Sequence, residues 1–193
     1  GDVDLHVRRK GVKGPTFLSG TVNLHDGLYV QHASALVWSG PRRPELHPPY
    51  FSVTNQPVAD WKLDVAVKGD RFLRARTPLF SGLLSATLNL GGTFRQPVLT
   101  GDARIRSGRI VLPFGSMNID SGIASFSGND PQGPNLQINA SGRNYRYDIR
   151  LGVKGPADIA EVTFSSTPPL TSEQILLMLT AGEVPQTDYT FSS

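Results

Sequence analysis

Apolar and polar side chains alternate along most of this chain with a period of two, which sends one set to one face of a β-strand and the other set to the opposite face. In Trp61-Lys62-Leu63-Asp64-Val65-Ala66-Val67-Lys68-Gly69 the odd positions are apolar. Leu84, Ala86, Leu88 and Leu90 alternate with Ser85, Thr87 and Asn89, and Leu136-Gln137-Ile138-Asn139-Ala140 repeats the pattern. The longest run sets Tyr145, Tyr147, Ile149, Leu151 and Val153 against Asn144, Arg146, Asp148, Arg150, Gly152 and Lys154. Between the runs, Gly69-Asp70, Gly91-Gly92, Gly128-Asn129-Asp130-Pro131 and Gly155-Pro156 read as turns joining serial antiparallel strands, roughly ten in all.

Two segments break the alternation. Residues 40–57, rich in proline and containing Arg42, Arg43 and His47, read as a long loop or irregular edge and as the most mobile part of the chain. Further on, Pro168-Pro169 stops a strand, Thr171 and Gln174 have capping-box spacing, and Gly182 closes the run Ile175-Leu176-Leu177-Met178-Leu179. These signals predict a short helix over 171–181. Its adjacent apolar residues cover more than one helical face, so it must lie on a broad apolar surface, for which the sheet is the natural partner.

The segment from Ser19 to Val30 aligns without gaps on Thr100 to Val111, preserving both glycines and the alternating apolar positions. The shared unit reads as strand, glycine turn, strand, and repetition of such a hairpin builds an elongated body. The chain is therefore read as one β-rich domain over 1–193, with repeat-like halves at about 1–80 and 81–165.

A sheet with one apolar face needs a cover, and one short helix cannot cover so many strands. Two solutions stay open on periodicity alone: a sandwich or small barrel, in which apolar faces pack on each other, and a curved sheet that leaves an open trough. Each Leu, Ile or Val left in water forgoes ~1.5–3 kcal/mol of burial, so a trough lined by a dozen forgoes tens of kcal/mol. A trough therefore predicts an occupant: lipid tails, detergent, an unfolded β client or another copy of the chain.

Composition adds limits. The 193 residues are 38% hydrophobic, with 20 glycines and 15 prolines in no collagen-like period, so the chain should fold and use these residues in turns. The net charge of +3 is spread along the chain and argues weakly for nucleic acid. There is no cysteine, hence no disulfide or thiolate metal site. The chain starts at Gly1 with no signal-type apolar region and no run approaching ~18 apolar residues, and reads as an internal piece whose missing ends could carry an anchor.

No catalytic, cofactor or metal constellation emerges. His6, His25, His32 and His47 lack metal-ligand spacing, and there is no Gly-x-Ser-x-Gly elbow or nucleotide-binding glycine motif. Gly101, like Gly91-Gly92, is assigned to a hairpin turn. Asp64, Asp102, Asp120 and Asp148 fall on polar strand positions, as a solvated face requires. Arg104, Arg106 and Arg109, then Arg143, Arg146 and Arg150, form basic stripes that either face lipid phosphates or serve solubility and edge protection. An RNA platform would want more aromatics among them than Tyr145 and Tyr147.

The segment Phe164-Ser165-Ser166-Thr167-Pro168-Pro169-Leu170-Thr171-Ser172-Glu173-Gln174-Ile175-Leu176-Leu177-Met178-Leu179-Thr180-Ala181-Gly182 resembles the C-terminal domain of the TamB family. There a strand ends in Ser-x-Pro-x-Leu and a short helix closing with Gly follows. Ser107-Gly108-Arg109-Ile110, Ile119-Asp120-Ser121-Gly122-Ile123-Ala124-Ser125-Phe126 and Leu136 to Ala140 are similar as well. The likeness runs from about residue 80 to 182 and is looser before, where the repeat from Gly20 to Val30 supports it. Family members continue into further strands where this chain ends at Ser193, and the Pro-rich loop has no counterpart.

The resemblance implies an all-β, elongated, curved, antiparallel-rich sheet forming a trough with an apolar interior, and a short helix near the C-terminus. It implies a non-enzymatic component of the translocation and assembly module, in the periplasm of a Gram-negative bacterium, anchored in the inner membrane and partnered by the outer-membrane barrel protein TamA. The cargo would be phospholipid or outer-membrane protein clients such as autotransporters; nucleic acid is not expected, and self-association through groove or edge strands is open. On this reading Leu63, Val65, Val67, Leu84, Leu88, Leu90, Ile105, Tyr147, Ile149 and Leu151 line the groove, and Ile175, Leu176 and Leu179 stand on a helix at its mouth. The alternatives are a scaffold that binds nascent strands by β-augmentation and a closed sandwich module.

Overall fold

The structure, a computed structural model, describes residues 1–12, 14–30, 51–128 and 133–184. Its strands are β1 (Asp2–Arg9), β2 (Thr16–Asn23), β3 (Gly27–Val30), β4 (Lys62–Arg76), β5 (Phe80–Gly92), β6 (Pro97–Leu112), β7 (Gly115–Ser127), β8 (Asn135–Asn144), β9 (Tyr147–Pro156) and β10 (Glu161–Thr167), followed by helix α1 (Ser172–Ala181). All ten strands form one sheet in the order β1-β2-β4-β5-β6-β7-β8-β9-β10, with β3 also paired to β4. A sandwich needs two sheets; these strands make one, and it does not close on itself.

From β4 to β10 every pairing is antiparallel between chain neighbours, as short turns between alternating runs require. The exception is at β4, which pairs parallel with β2 and β3. A parallel pair cannot be joined by a tight turn. The sequence between Val30 and Lys62 is the long connection that this pairing demands, and the Pro-rich stretch lies within it. Residues 40–50 of that stretch, with Arg42, Arg43 and His47, lie outside the described residues, as do His32 and most of the Gly128 to Pro131 turn. Its later part is anchored: Val53 N–H donates to the Phe94 carbonyl at 2.9 Å, Ser52 Oγ to the Arg95 carbonyl at 2.7 Å, and Arg95 N–H to the Ala59 carbonyl at 2.9 Å.

The repeat is a bent strand, not a hairpin. Thr100 to Val111 lies wholly inside β6, and Ser19 to Val30 covers β2 and β3, which run in the same direction along β4 with a break at Leu24 to Asp26. Gly69-Asp70 and Gly101 are likewise not hairpin turns but interior positions of β4 and β6. At Gly69 the chain bulges, and the register resumes at Leu73 opposite Leu84. The Phe72 ring folds back over Gly69, where any side chain would overlap it. Further register shifts occur opposite Leu83/Leu84, where β6 carries the extra residue Arg106, and between Ile119 and Ser121. Bulges bend the strand that carries them, so three of them across neighbouring strands curve the sheet.

Helix α1 begins as its sequence dictates. Thr171 Oγ1 accepts from Gln174 N–H at 3.2 Å, and Gln174 Oε1 accepts from Thr171 N–H at 3.0 Å, completing the capping box. Gly182, in the left-handed conformation, ends it. The helix lies over β7 to β10, and the main core forms there from Met117, Ala140, Tyr147, Ile149, Leu151, Ile175, Met178 and Leu179.

A candidate apolar groove

Cross-strand register assembles the groove. Val65 stands opposite Leu90 and Val67 opposite Leu88; Leu73 faces Leu84, which in turn faces Ile105. Partners in register project to the same side of a sheet, so Leu63, Val65, Val67, Leu84, Leu88, Leu90 and Ile105 share one face. The same face continues through Ala103, Ala124 and Leu136, and through Ile105, Gly122, Ile138 and Val153. Tyr147, Ile149 and Leu151 complete it on β9, with Phe164 beside Leu151 on β10. In the other direction it runs through Leu18, Gly20 and Val22 to Val7, Leu5 and Val3.

The face divides into a covered and an uncovered part. Tyr147 and Ile149 are 0% and 1% exposed beneath α1, so these groove candidates, with Leu151, belong to a closed core and do not line open space. On the helix, Ile175 and Leu179 point into that core together with Met178, whereas Leu176 is 46% exposed and turns away from it. The difference follows from helical geometry: 175, 178 and 179 share a face by the three- and four-residue spacing, and 176 does not. In β6, Ile110 and Leu112 still pack against that core, and the rest of the face from β1 to β6 lies away from it. Leu63 and Val65 are buried there, Val67, Leu84, Leu88, Leu90 and Ile105 are half-buried, and β1 is exposed along its whole length.

The opposite face is polar and internally paired. Ser85 Oγ donates to Asp70 Oδ1 at 2.9 Å and accepts from Arg71 N–H at 2.8 Å and Arg106 Nε at 3.0 Å, while Arg106 also reaches Asp70 at 3.4 Å. This cluster ties the bulge of β4 to the extra residue of β6 across β5. Arg104 pairs with Asp102 at 3.4 Å, which also accepts from Ser125 Oγ, and Arg143 approaches Asp148 at 3.9 Å. The basic stripes expected from the arginine spacing are therefore interrupted by carboxylates. The exposed His6 and His25 lie 3.2 Å from Asp4 and Asp2, and no group of three or more potential metal ligands occurs among the described residues.

Several members of the apolar face escaped the candidate set, among them Val3, Leu5, Leu18, Val22, Leu99, Phe126, Ile138 and Val153. Their signal was the same alternation, available in shorter or glycine-interrupted runs. The Ser85 cluster had no sequence signal, because it depends on two bulges meeting across a strand.

One unclosed sheet of ten mostly antiparallel strands, with a continuous apolar face partly covered by a short helix, defines the molecule as an open β-sheet protein. The family model of the TamB C-terminal domain matches residues 7–192, and the chain belongs to that family. No curated protein matches the chain. The family is a non-enzymatic component of envelope biogenesis of the translocation-and-assembly type, associated with the periplasm and working with TamA. No helix among the described residues is long and apolar enough to cross a membrane.

Proposed function

We propose that the part of the apolar face from β1 to β6 that lies away from α1 holds apolar cargo, with phospholipid acyl chains as the principal occupant, during passage between the inner and outer membranes. The observation that carries this reading is the run of half-buried Val67, Leu84, Leu88, Leu90 and Ile105 on one face of a curved sheet, outside the core that α1 closes. Left in water, each would forgo part of the ~1.5–3 kcal/mol that burial offers, and an acyl chain recovers it without demanding directional contacts. No step of bond making is involved; the groove shields methylenes from water, and net movement draws its driving force from elsewhere.

The test is a photo-crosslinking residue at Leu88 or Ile105 in the full-length protein in cells, with Thr87 on the polar face as the control. Phospholipid adducts at both groove positions and none at Thr87 are expected. Adducts to neither lipid nor protein at Leu88 and Ile105 would overturn the reading.

A second reading, pairing of client strands with the sheet edge, is favoured by β1: its eight residues are all exposed and its outer side has no strand partner among the described residues. Under it, His6→Pro would abolish client capture by removing a backbone donor from the edge strand, while Leu88→Arg would leave capture intact.

A further inference from the structure

The strand ends of β4 and β6 and the turns that follow them bring arginines and exposed apolar side chains together. Arg76 stands opposite Ser81, which stands opposite Arg109, and Arg74 is two residues back on the same side. These three arginines line a shallow concavity of about 340 Å³ with Ser81, Ser107 and Asn118. Arg109 Nε donates to Asn118 Oδ1 at 3.3 Å, a neutral acceptor. No carboxylate lies within ion-pair distance of Arg74, Arg76 or Arg109 among the described residues, in contrast to Arg104, Arg106 and Arg143.

Beside the arginines the same rim exposes apolar side chains. Leu79 in the β4–β5 turn is 46% exposed, Val111 42% and Phe114 in the β6–β7 turn 53%. Leu79 and Val111 are fastened together by a backbone hydrogen bond of 2.9 Å, and Phe114 by its N–H to the Leu179 carbonyl at 3.0 Å. On the helix side of this patch Glu183 follows the Gly182 that packs on the Phe114 ring, and Asn144, which donates to the Phe114 carbonyl at 2.8 Å, neighbours the Arg143–Asp148 pair. At the opposite rim, by contrast, the β5–β6 turn holds Arg95 in an ion pair with Asp60 at 3.3 Å.

We propose that this rim is a docking edge for the headgroup layer of an anionic phospholipid bilayer. The arginines, free of carboxylates, meet lipid phosphates, and Leu79, Val111 and Phe114 enter the headgroup boundary where apolar and aromatic side chains are stabilised. A protein partner would have to supply both acids and an apolar pocket in register with two turn tips; a bilayer presents phosphate and hydrocarbon side by side everywhere. The edge is distinct from the apolar face and does not depend on what occupies the groove.

The absence of cysteine makes the test direct. Phe114→Cys and, at the opposite rim, Gln96→Cys are each labelled with an environment-sensitive fluorophore and mixed with vesicles of phosphatidylcholine containing about 30 mol% phosphatidylglycerol or none. Expected is a blue shift at position 114 only, only with the anionic vesicles, and suppressed by high salt. Arg76→Ala and Arg109→Ala should each lower vesicle partitioning about fivefold, while Thr87→Ala, on the polar face away from the rim, leaves it unchanged. Equal response at Gln96, equal response to vesicles lacking phosphatidylglycerol, no response at 114, or indifference to both arginine changes would each overturn the proposal.

Discussion

Leu88 and Gly101 are register partners across β5 and β6, and the backbones approach so closely that a Cβ on Gly101 would lie 3.0 Å from the Leu88 Cα and overlap the Thr87 carbonyl oxygen. Gly101 also holds φ +111, a conformation L side chains rarely adopt. Gly20 repeats the arrangement against Leu5 and the Asp4 carbonyl, at φ +150. The aligned glycines of the repeat thus mark where a strand is pressed against its neighbour. Gly101→Ala should lower unfolding free energy by at least ~1–3 kcal/mol in a urea titration. Gly20→Ala, at the outermost pair of strands, should instead fray β1 and show as faster amide exchange there with a smaller global change.

The Ser85 hydroxyl is the hinge of the polar cluster between two bulges, and its residue is only 6% exposed. Ser85→Ala strands the Arg71 N–H and takes from Asp70 and Arg106 the hydroxyl they share, leaving their direct 3.4 Å ion pair. The expected cost is ~1–3 kcal/mol, and Asp70→Asn should be less than additive with it in a double-mutant cycle, because both act on the same contacts.

Leu88→Arg and Ile149→Arg separate the two parts of the apolar face. At Leu88 an arginine can run its stem along the open sheet and keep its head in water, so circular dichroism should remain that of an intact sheet and stability should fall by no more than ~1–2 kcal/mol. At Ile149, 1% exposed under α1, the charge has no route to solvent. Loss of ~3–5 kcal/mol or outright unfolding is expected in the same assay.

The contrast reflects what a sequence can display. Alternation in Leu84 to Leu90 and Tyr147 to Val153 is a local property, and the strands and their apolar face were readable from it. Which part of the face α1 covers is not local: Tyr147 and Leu88 look alike in their own runs, and only the return of the chain after Pro168-Pro169 distinguishes them. Gly69-Asp70 carries turn chemistry whether the chain reverses there or bulges, and the register of β4 against β5 decides. The parallel pairing of β2 with β4 was hidden because alternation does not encode strand direction, and the long connection between them read as a loop or irregular edge.

Asp60 fastens the end of that connection to the β5–β6 turn. Gln56 Nε2 donates to its carboxylate at 2.6 Å, and Arg95 approaches the other oxygen at 3.3 Å. The Gln56 hydrogen bond, then Arg95, holds its pKa below the ordinary 3.8. A carboxylate lowered in this way stabilises the docked segment at pH above its unfolded value, and the contribution disappears as pH falls through the lower folded value. Carboxyl-resonance NMR titration should find Asp60 below its ordinary value in the intact chain, and Gln56→Ala should raise it. The global stability change should be small, because the group is exposed to solvent.

Helix α1 is held by three side chains and one cap, and its neighbouring leucines contribute little. Met178→Ala and Ile175→Ala each open a cavity beneath the helix and should cost ~2–5 kcal/mol, whereas Leu176→Ala, which removes an exposed side chain, should stay within about 0.5 kcal/mol. Thr171→Ala deletes half of the capping box and should cost ~1 kcal/mol. Because α1 lies over Tyr147, Ile149 and Leu151, loosening it exposes that end of the face. Binding of a hydrophobic dye to the native protein should therefore rise in Met178→Ala and stay level in Leu176→Ala. A dye response to Leu176→Ala as large as that to Met178→Ala would mean that the helix rests on the sheet through a different face.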